Sequence, residues 1–267
     1  MKENFQNDFD FFCTMKSSNI LKKIIEATKD LIVNGTFMCD ENKIQMQGMD
    51  SSHISLCSLK IEKSAFTIYE CNRPVVLGIN LPSLSKILKC VGNEDVVTIC
   101  ANSDEDFAHF KFVNESSDKI VEFKIRLMSI DSENLEIEEI EYEAQIEICS
   151  SKFLRIIRDL STLDEKCDIQ VLKDSVAFSI DGETGEAEIT IKASEEEETY
   201  IEIRDEMTLS FSLRFLSLFS KATPLSHQAK IFISASAPIK IQYVFEDDAG
   251  EISFFLAPKL EENDIDE

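Results

Sequence analysis

Asn19-Ile20-Leu21-Lys22-Lys23-Ile24-Ile25-Glu26-Ala27-Thr28-Lys29-Asp30-Leu31 and Ser151-Lys152-Phe153-Leu154-Arg155-Ile156-Ile157-Arg158-Asp159-Leu160 stand 132 positions apart. Both read as amphipathic helices, because their apolar residues recur every three or four positions. In the first, Leu21, Ile24, Ile25, Thr28 and Leu31 share one face, and Lys22, Lys23 and Lys29 lie opposite. In the second, Phe153, Leu154, Ile157 and Leu160 form the stripe, leaving Lys152, Arg155 and Arg158 outside. Two more helices are expected. One covers residues 82–90, opened by Pro82, with Lys86 and Lys89 outward. The other covers 212–221, with Phe215, Leu216 and Phe219 inside and Arg214 and Lys221 outside.

Between the helices the apolar spacing drops to two, as in His53-Ile54-Ser55-Leu56-Cys57-Ser58-Leu59-Lys60-Ile61, Ala187-Glu188-Ile189-Thr190-Ile191-Lys192 and Ile239-Lys240-Ile241-Gln242-Tyr243-Val244-Phe245. Such alternation predicts half-buried antiparallel strands. The 132-residue shift carries more than helices. Lys43 falls on Ser175, Lys89 on Lys221, and the strand at 107–113 on the one at 239–245. The expectation is two similar α+β domains, each with two helices packed on antiparallel sheets. They would cover 11–128 and 144–260, with an N-terminal extension at 1–10, an acidic connecting loop at 129–143 and an acidic tail at 261–267.

The chain has 267 residues, 27 basic against 51 acidic, and a net charge of −24. On its own this argues against nucleic-acid binding, which requires phosphates to be neutralised by Lys and Arg. Distribution reverses the argument. Segments 19–31, 81–90, 151–160 and 212–221 hold ten basic residues and only three acidic ones; the rest of the chain holds 17 basic and 48 acidic. Solvated helix faces normally mix Glu and Lys, yet the second and fourth segments contain no acid at all. The sorting points to a phosphate-facing surface that grips backbone without reading bases.

Enzymatic readings find little support. Asp50-Ser51-Ser52-His53 would place adjacent residues on opposite faces of a strand, where no catalytic triad forms. Only three histidines are present, with no phosphate-binding glycine loop and no metal-ligand spacing. Eight cysteines, none at C-x-x-C spacing, read as buried free thiols of a reducing compartment. No cofactor or metal is expected.

Seven stretches resemble the proliferating cell nuclear antigen family: Ile20-Leu21-Lys22-Lys23-Ile24, Met49-Asp50-Ser51-Ser52-His53-Ile54-Ser55-Leu56, Leu84-Ser85-Lys86-Ile87-Leu88-Lys89-Cys90, Gly92-Asn93-Glu94-Asp95, Arg158-Asp159-Leu160-Ser161, Lys221-Ala222-Thr223-Pro224-Leu225 and Leu256-Ala257-Pro258-Lys259-Leu260. They follow in order over nearly the whole chain. The resemblance implies a nuclear, non-enzymatic processivity factor: a head-to-tail homotrimer that encircles duplex DNA, with helices lining the hole and sheets forming the outer wall. It implies that DNA polymerases, a clamp loader and flap endonuclease or ligase-type proteins dock by short peptides. Their pocket would comprise Met49, His53, Ile54, Leu56, Asn134, Leu135, Ile137, Pro238, Phe255 and Ala257. It places the subunit contact on an edge strand at His109, Phe110, Lys111, Phe112 and Val113 and on another at Ala187, Ile189 and Ile191. Lys173 matches the family's ubiquitin-carrying lysine. Three departures stand out. The connector reads Glu136-Ile137-Glu138-Glu139 and lacks the family's proline, Asn134 replaces a pocket glutamine, and Thr162 replaces a histidine.

Overall fold

The computed structural model describes residues 9–114, 116, 118–129, 140–182 and 185–259. They fall into two compact units. Unit 1 draws on Met1–Ser51, Cys57–Leu135 and Val244–Ile252, and unit 2 on Ser52–Leu56, Glu136–Tyr243 and Ser253–Glu267.

In unit 1 the chain runs through β1 (Phe11–Met15), α1 (Asn19–Thr28), β2 (Asn34–Cys39), β3 (Lys43–Met49), β4 (Ser55–Glu62), β5 (Ile68–Cys71), β6 (Val75–Asn80), α2 (Leu81–Leu88), β7 (Val96–Ala101), β8 (Phe107–Asn114) and β9 (Lys119–Arg126). One sheet has the order β5-β1-β7-β8-β9; the other includes β4-β3-β2-β6. Unit 2 repeats the series with β10 (Ala144–Cys149), α3 (Ser150–Leu160), β11 (Lys166–Leu172), β12 (Ser175–Gly182), β13 (Gly185–Lys192), β14 (Tyr200–Ile203), β15 (Met207–Ser212), α4 (Leu213–Phe219), β16 (Gln228–Ile233), β17 (Ile239–Val244) and β18 (Gly250–Leu256), of which Val244 and Gly250–Ile252 count with unit 1. Its sheets run β13-β12-β11-β15 and β14-β10-β16-β17. The shift of 132 maps every element of the first series onto one of the second, in the same sheet position. The α+β expectation holds.

Local chemistry fixes the element ends. Asn80 caps α2 by accepting the Ser83 N–H at 3.0 Å, and Pro82 occupies the first turn, where no N–H partner is needed. Helix α1 stops at Thr28, short of the expected Leu31. The Thr28 hydroxyl donates back to the Ile24 carbonyl, and the N–H groups of Leu31 and Ile32 both turn onto the Thr28 carbonyl. Helix α4 is also shorter than expected. It ends at Phe219 and continues as a 3-10 turn over Ser220–Leu225, where Pro224 offers no N–H to an α-helical ladder. The strand read from His53 begins instead at Ser55, because His53 sits at φ 58° in the left-handed region.

Gly250 opens β18 at φ 148°, and a Cβ there would lie 2.1 Å from the Lys60 carbonyl oxygen. Only glycine admits that approach of β18 to β4 in unit 1. In unit 2 the Ala257 N–H donates to the Ile54 carbonyl at 3.3 Å.

Each core is formed by apolar side chains of the strands and of the helices packed on them. Unit 1 buries Phe11, Met46, Leu59 and Phe112; unit 2 buries Phe153, Phe178, Phe211 and Tyr243. There Phe219 stacks on Phe254 at 4.8 Å. All eight cysteines are free, five of them buried; Cys71 and Cys149 are half-buried and Cys90 is exposed, so the all-buried expectation fails at those three. Among the described residues no helix is long and apolar enough to cross a membrane.

Candidate nucleic-acid interface

In unit 1, α1 buries Leu21, Ile24, Ile25, Ala27 and Thr28 and packs beside α2, which buries Leu81, Leu84, Ser85 and Leu88. This leaves Lys86 and Lys89 exposed, with Lys22, Lys23 and Lys29 half-exposed. Several of these cations have protein partners. The Lys22 ammonium donates to the Val91 carbonyl at 2.6 Å and to the Asn93 side chain at 2.9 Å. That turn is braced from behind. The Asp95 carboxylate accepts the Gly92 N–H at 2.8 Å and the Asn114 amide at 2.6 Å, and Ser18 donates to the Gly92 carbonyl at 2.6 Å. Gly92-Asn93-Glu94-Asp95 is therefore a scaffold that aims a lysine. Glu26 accepts from Lys29 at 3.0 Å and from the Ser85 hydroxyl at 2.6 Å, tying α1 to α2. Partial burial works against its charge. The two hydrogen bonds and the nearby Lys29 and Lys89 prevail, and its pKa is lowered.

In unit 2, α3 buries Phe153, Ile156, Ile157 and Leu160 and packs against α4. Arg155, Arg158, Arg214 and Lys221 are exposed and Lys152 is half-exposed. Arg214 lies over the Phe215 ring at 5.7 Å and Arg158 sits 3.3 Å from Asp159. Lys152 is bound by Glu197, a residue of the turn after β13, and that ammonium holds the Glu197 carboxyl below its usual range. Cys149 caps α3. The Ser151 hydroxyl and the N–H groups of Ser151 and Lys152 lower its thiol pKa against partial burial. Nothing in the sequence flagged Glu197 or Cys149, since both depend on where a distant turn and a helix start come to lie.

The expected peptide pocket is split by the division into units. Unit 2 contains His53, Ile54, Leu56, Pro238, Phe255 and Ala257; Ile54 is 47 % exposed and Phe255 9 %. Met49 belongs to unit 1 and is 38 % exposed. Asn134, Leu135 and Ile137 lie outside the described residues. Lys173 is exposed in the turn from β11 to β12, where its backbone N–H donates to the Glu206 carboxylate at 3.2 Å.

One expectation is corrected. His109, Phe110, Lys111, Phe112 and Val113 belong to β8, which is paired on both sides, by β7 and by β9. Its backbone ladder is complete, so it is no edge. The edge strand is β9, whose Lys119-Ile120-Val121-Glu122-Phe123-Lys124-Ile125-Arg126 alternation was readable as a strand. Ala187, Ile189 and Ile191 do lie on an edge strand, β13, with Ile191 buried. The two edges differ in charge. On β9, Glu122 is matched by Lys111 at 2.8 Å, while Lys124 and Arg126 lie over the Phe107 ring at 4.4 and 5.6 Å. On β13 the exposed side chains include Glu186 and Glu188. Among the described residues no His, Cys, Asp or Glu cluster could hold a metal ion.

A doubled α+β motif, with cations sorted onto its helices and open sheet edges at β9 and β13, defines a DNA-clamp subunit. Comparison with known proteins agrees. Residues 11–135 match the N-terminal domain of proliferating cell nuclear antigen and residues 136–259 its C-terminal domain. The proliferating cell nuclear antigen of Dictyostelium discoideum is 40% identical over 258 residues, covering 94% of this chain and all of that protein. The chain belongs to the proliferating cell nuclear antigen family, the sliding clamps that act as non-enzymatic processivity factors in DNA replication and repair.

Proposed function

We propose that three copies of this chain close head to tail into a ring around duplex DNA, β9 of each subunit pairing with β13 of the next. One observation carries the reading. By the 132-residue repeat, β9 corresponds to β18 and β13 to β4. β18 approaches β4 within unit 1, at Gly250 beside Lys60, and within unit 2 Ala257, just past β18, donates to Ile54, just before β4. The equivalent strands β9 and β13 are left as sheet ends, carrying Lys124 and Arg126 on one and Glu186 and Glu188 on the other. Open edges of opposite charge on one molecule favour a heterologous contact that closes.

In this ring the domains are 11–128 and 144–260, joined by 129–143. The ten helix cations face the duplex, and the acidic remainder repels DNA from the outside. Contacts to phosphate alone are non-specific and allow sliding. Polymerases, a clamp loader and flap endonuclease or ligase-type proteins dock by short peptides on Ile54, Leu56, Pro238, Phe255 and Ala257. The site of action is the nucleus, and Lys173 is a candidate for modification.

The test combines mass with topology. Light scattering should return three times the 30.3 kDa chain mass, and loaded protein should stay on circular duplex and run off once the circle is linearised. A monomer, or equal loss from both DNA forms, overturns the reading.

A further inference from the structure

The turn that follows β13 is built from Glu195, Glu196, Glu197 and Glu198 between Ser194 and Thr199, which exchange backbone hydrogen bonds of 2.9 Å in both directions. It is attached to the start of α3 and of β16 at three points. Glu197 binds the Lys152 ammonium, Glu198 lies 3.1 Å from His227, and the Gln228 amide reaches the Glu198 carbonyl at 3.5 Å. Glu198 adopts φ 48°, a conformation unfavourable for a residue with a Cβ. Strain of that kind persists only where surrounding contacts impose it. Of the ten helix cations, Lys152 is bound by an acid from outside the helical segments, 45 residues along the chain.

We propose that this acidic turn is a built-in phosphate mimic that occupies Lys152 and withholds it from DNA. The inference rests on the reading that α3 faces the duplex. A carboxylate presents lysine with the same partner as a phosphate oxygen, an anionic acceptor at hydrogen-bond distance. Both side chains of the pair reach solvent, at 34% and 63% exposure, and an exposed pair shifts an equilibrium by no more than about fivefold. The turn therefore attenuates binding without blocking it.

The test titrates labelled clamp with a short linear duplex over a salt series, for the native protein, Glu197→Gln, Glu198→Gly, Lys152→Gln and Glu197→Gln with Lys152→Gln. Glu197→Gln should bind about two- to fivefold more tightly at low salt. Its log–log salt dependence should steepen by about 0.9 for each Lys152 that reaches a phosphate. Glu198→Gly, which suits the left-handed backbone and removes the His227 anchor, should act in the same direction. With Lys152→Gln present, Glu197→Gln should have no effect. Unchanged or weaker binding by Glu197→Gln, or a gain that survives Lys152→Gln, overturns the proposal. Arg155→Gln and Lys89→Gln separate the causes. If they weaken binding while Glu197→Gln does nothing, the latch is wrong and the DNA-facing reading stands. If they too change nothing, the DNA-facing reading is what fails.

Discussion

Helices α1 and α2 hold their charge differently from α3 and α4, although the repeat superimposes one pair on the other. In unit 1 the restraining groups are close at hand: Lys22 is tied to the carbonyl of Val91 just past α2, and Lys29 to Glu26 on its own helix. Glu26 also joins the two helices through Ser85. In unit 2 the link runs instead from Ser150, at the start of α3, to Thr223 in the 3-10 turn that continues α4, each donating to the other's carbonyl. Lys152 is restrained from a turn far along the chain, while Arg155 and Arg214 are exposed, Arg214 over the Phe215 ring. A duplicated fold thus preserves which face is cationic while the wiring behind each cation diverges.

The sharpest way to break the comparison is to reverse charge in both pairs. Lys89→Glu with Arg158→Glu should reduce stimulation of a polymerase in primer extension by about tenfold or more, because two cations of the proposed inner face become anions that repel phosphate. Each single reversal should give a partial loss, which ranks the two units. Equal processivity in the double variant would show that neither pair meets DNA.

The glycines test backbone tolerance in each unit. Gly250→Ala drives a Cβ onto the Lys60 carbonyl and should cost about 3 kcal/mol or more in a urea melt. Gly185, at φ 134° with nothing within 4 Å of a Cβ, should cost only about 1 kcal/mol when changed to Ala. Similar losses at both would mean that conformation, not the close approach, sets the penalty.

The lysines provide a smaller contrast. Lys22→Met leaves the Val91 carbonyl without its donor and should destabilise by about 1 kcal/mol. Lys152→Met breaks an exposed pair and should stay within about 0.5 kcal/mol. The reverse order would place the structural anchor in unit 2.

Acid should loosen the turn that supports Lys22. Burial opposes the Asp95 carboxylate, but hydrogen bonds from Asn114 and Gly92 and the charges of Lys119 and Lys22 lower its pKa. Its unfolded pKa is about 4. The stabilisation is therefore complete above that value and is lost as pH falls through the lower folded pKa. Asp95→Asn should remove this part of the acid transition, seen as a flatter profile of melting temperature below about pH 4.

Much of the architecture was legible because its signals are local. The stripe Phe153, Ile157 and Leu160 located α3 to within a residue, and alternation at 239–245 located β17, since side-chain period follows directly from backbone geometry. The repeat supplied the order of the rest. What escaped depends on contacts between distant residues. His53 continues an alternating run yet turns left-handed at a strand junction. Strand β8 alternates as an edge strand would, and only the pairing order shows that β9 lies outside it. The grip of Glu197 on Lys152 joins residues whose proximity no spacing encodes.

The pairing of cations with groups of the protein itself bears on mobility. If the proposed inner face meets DNA, Lys22, Lys29, Lys152 and Arg158 would each have to leave a protein acceptor before taking a phosphate. Such swaps change energy little, so the wells along the backbone are shallow and their corrugation is slight. A bare array of lysines would dig deeper traps. Friction along the duplex would then be set less by how many cations a subunit carries than by how many already have somewhere else to go.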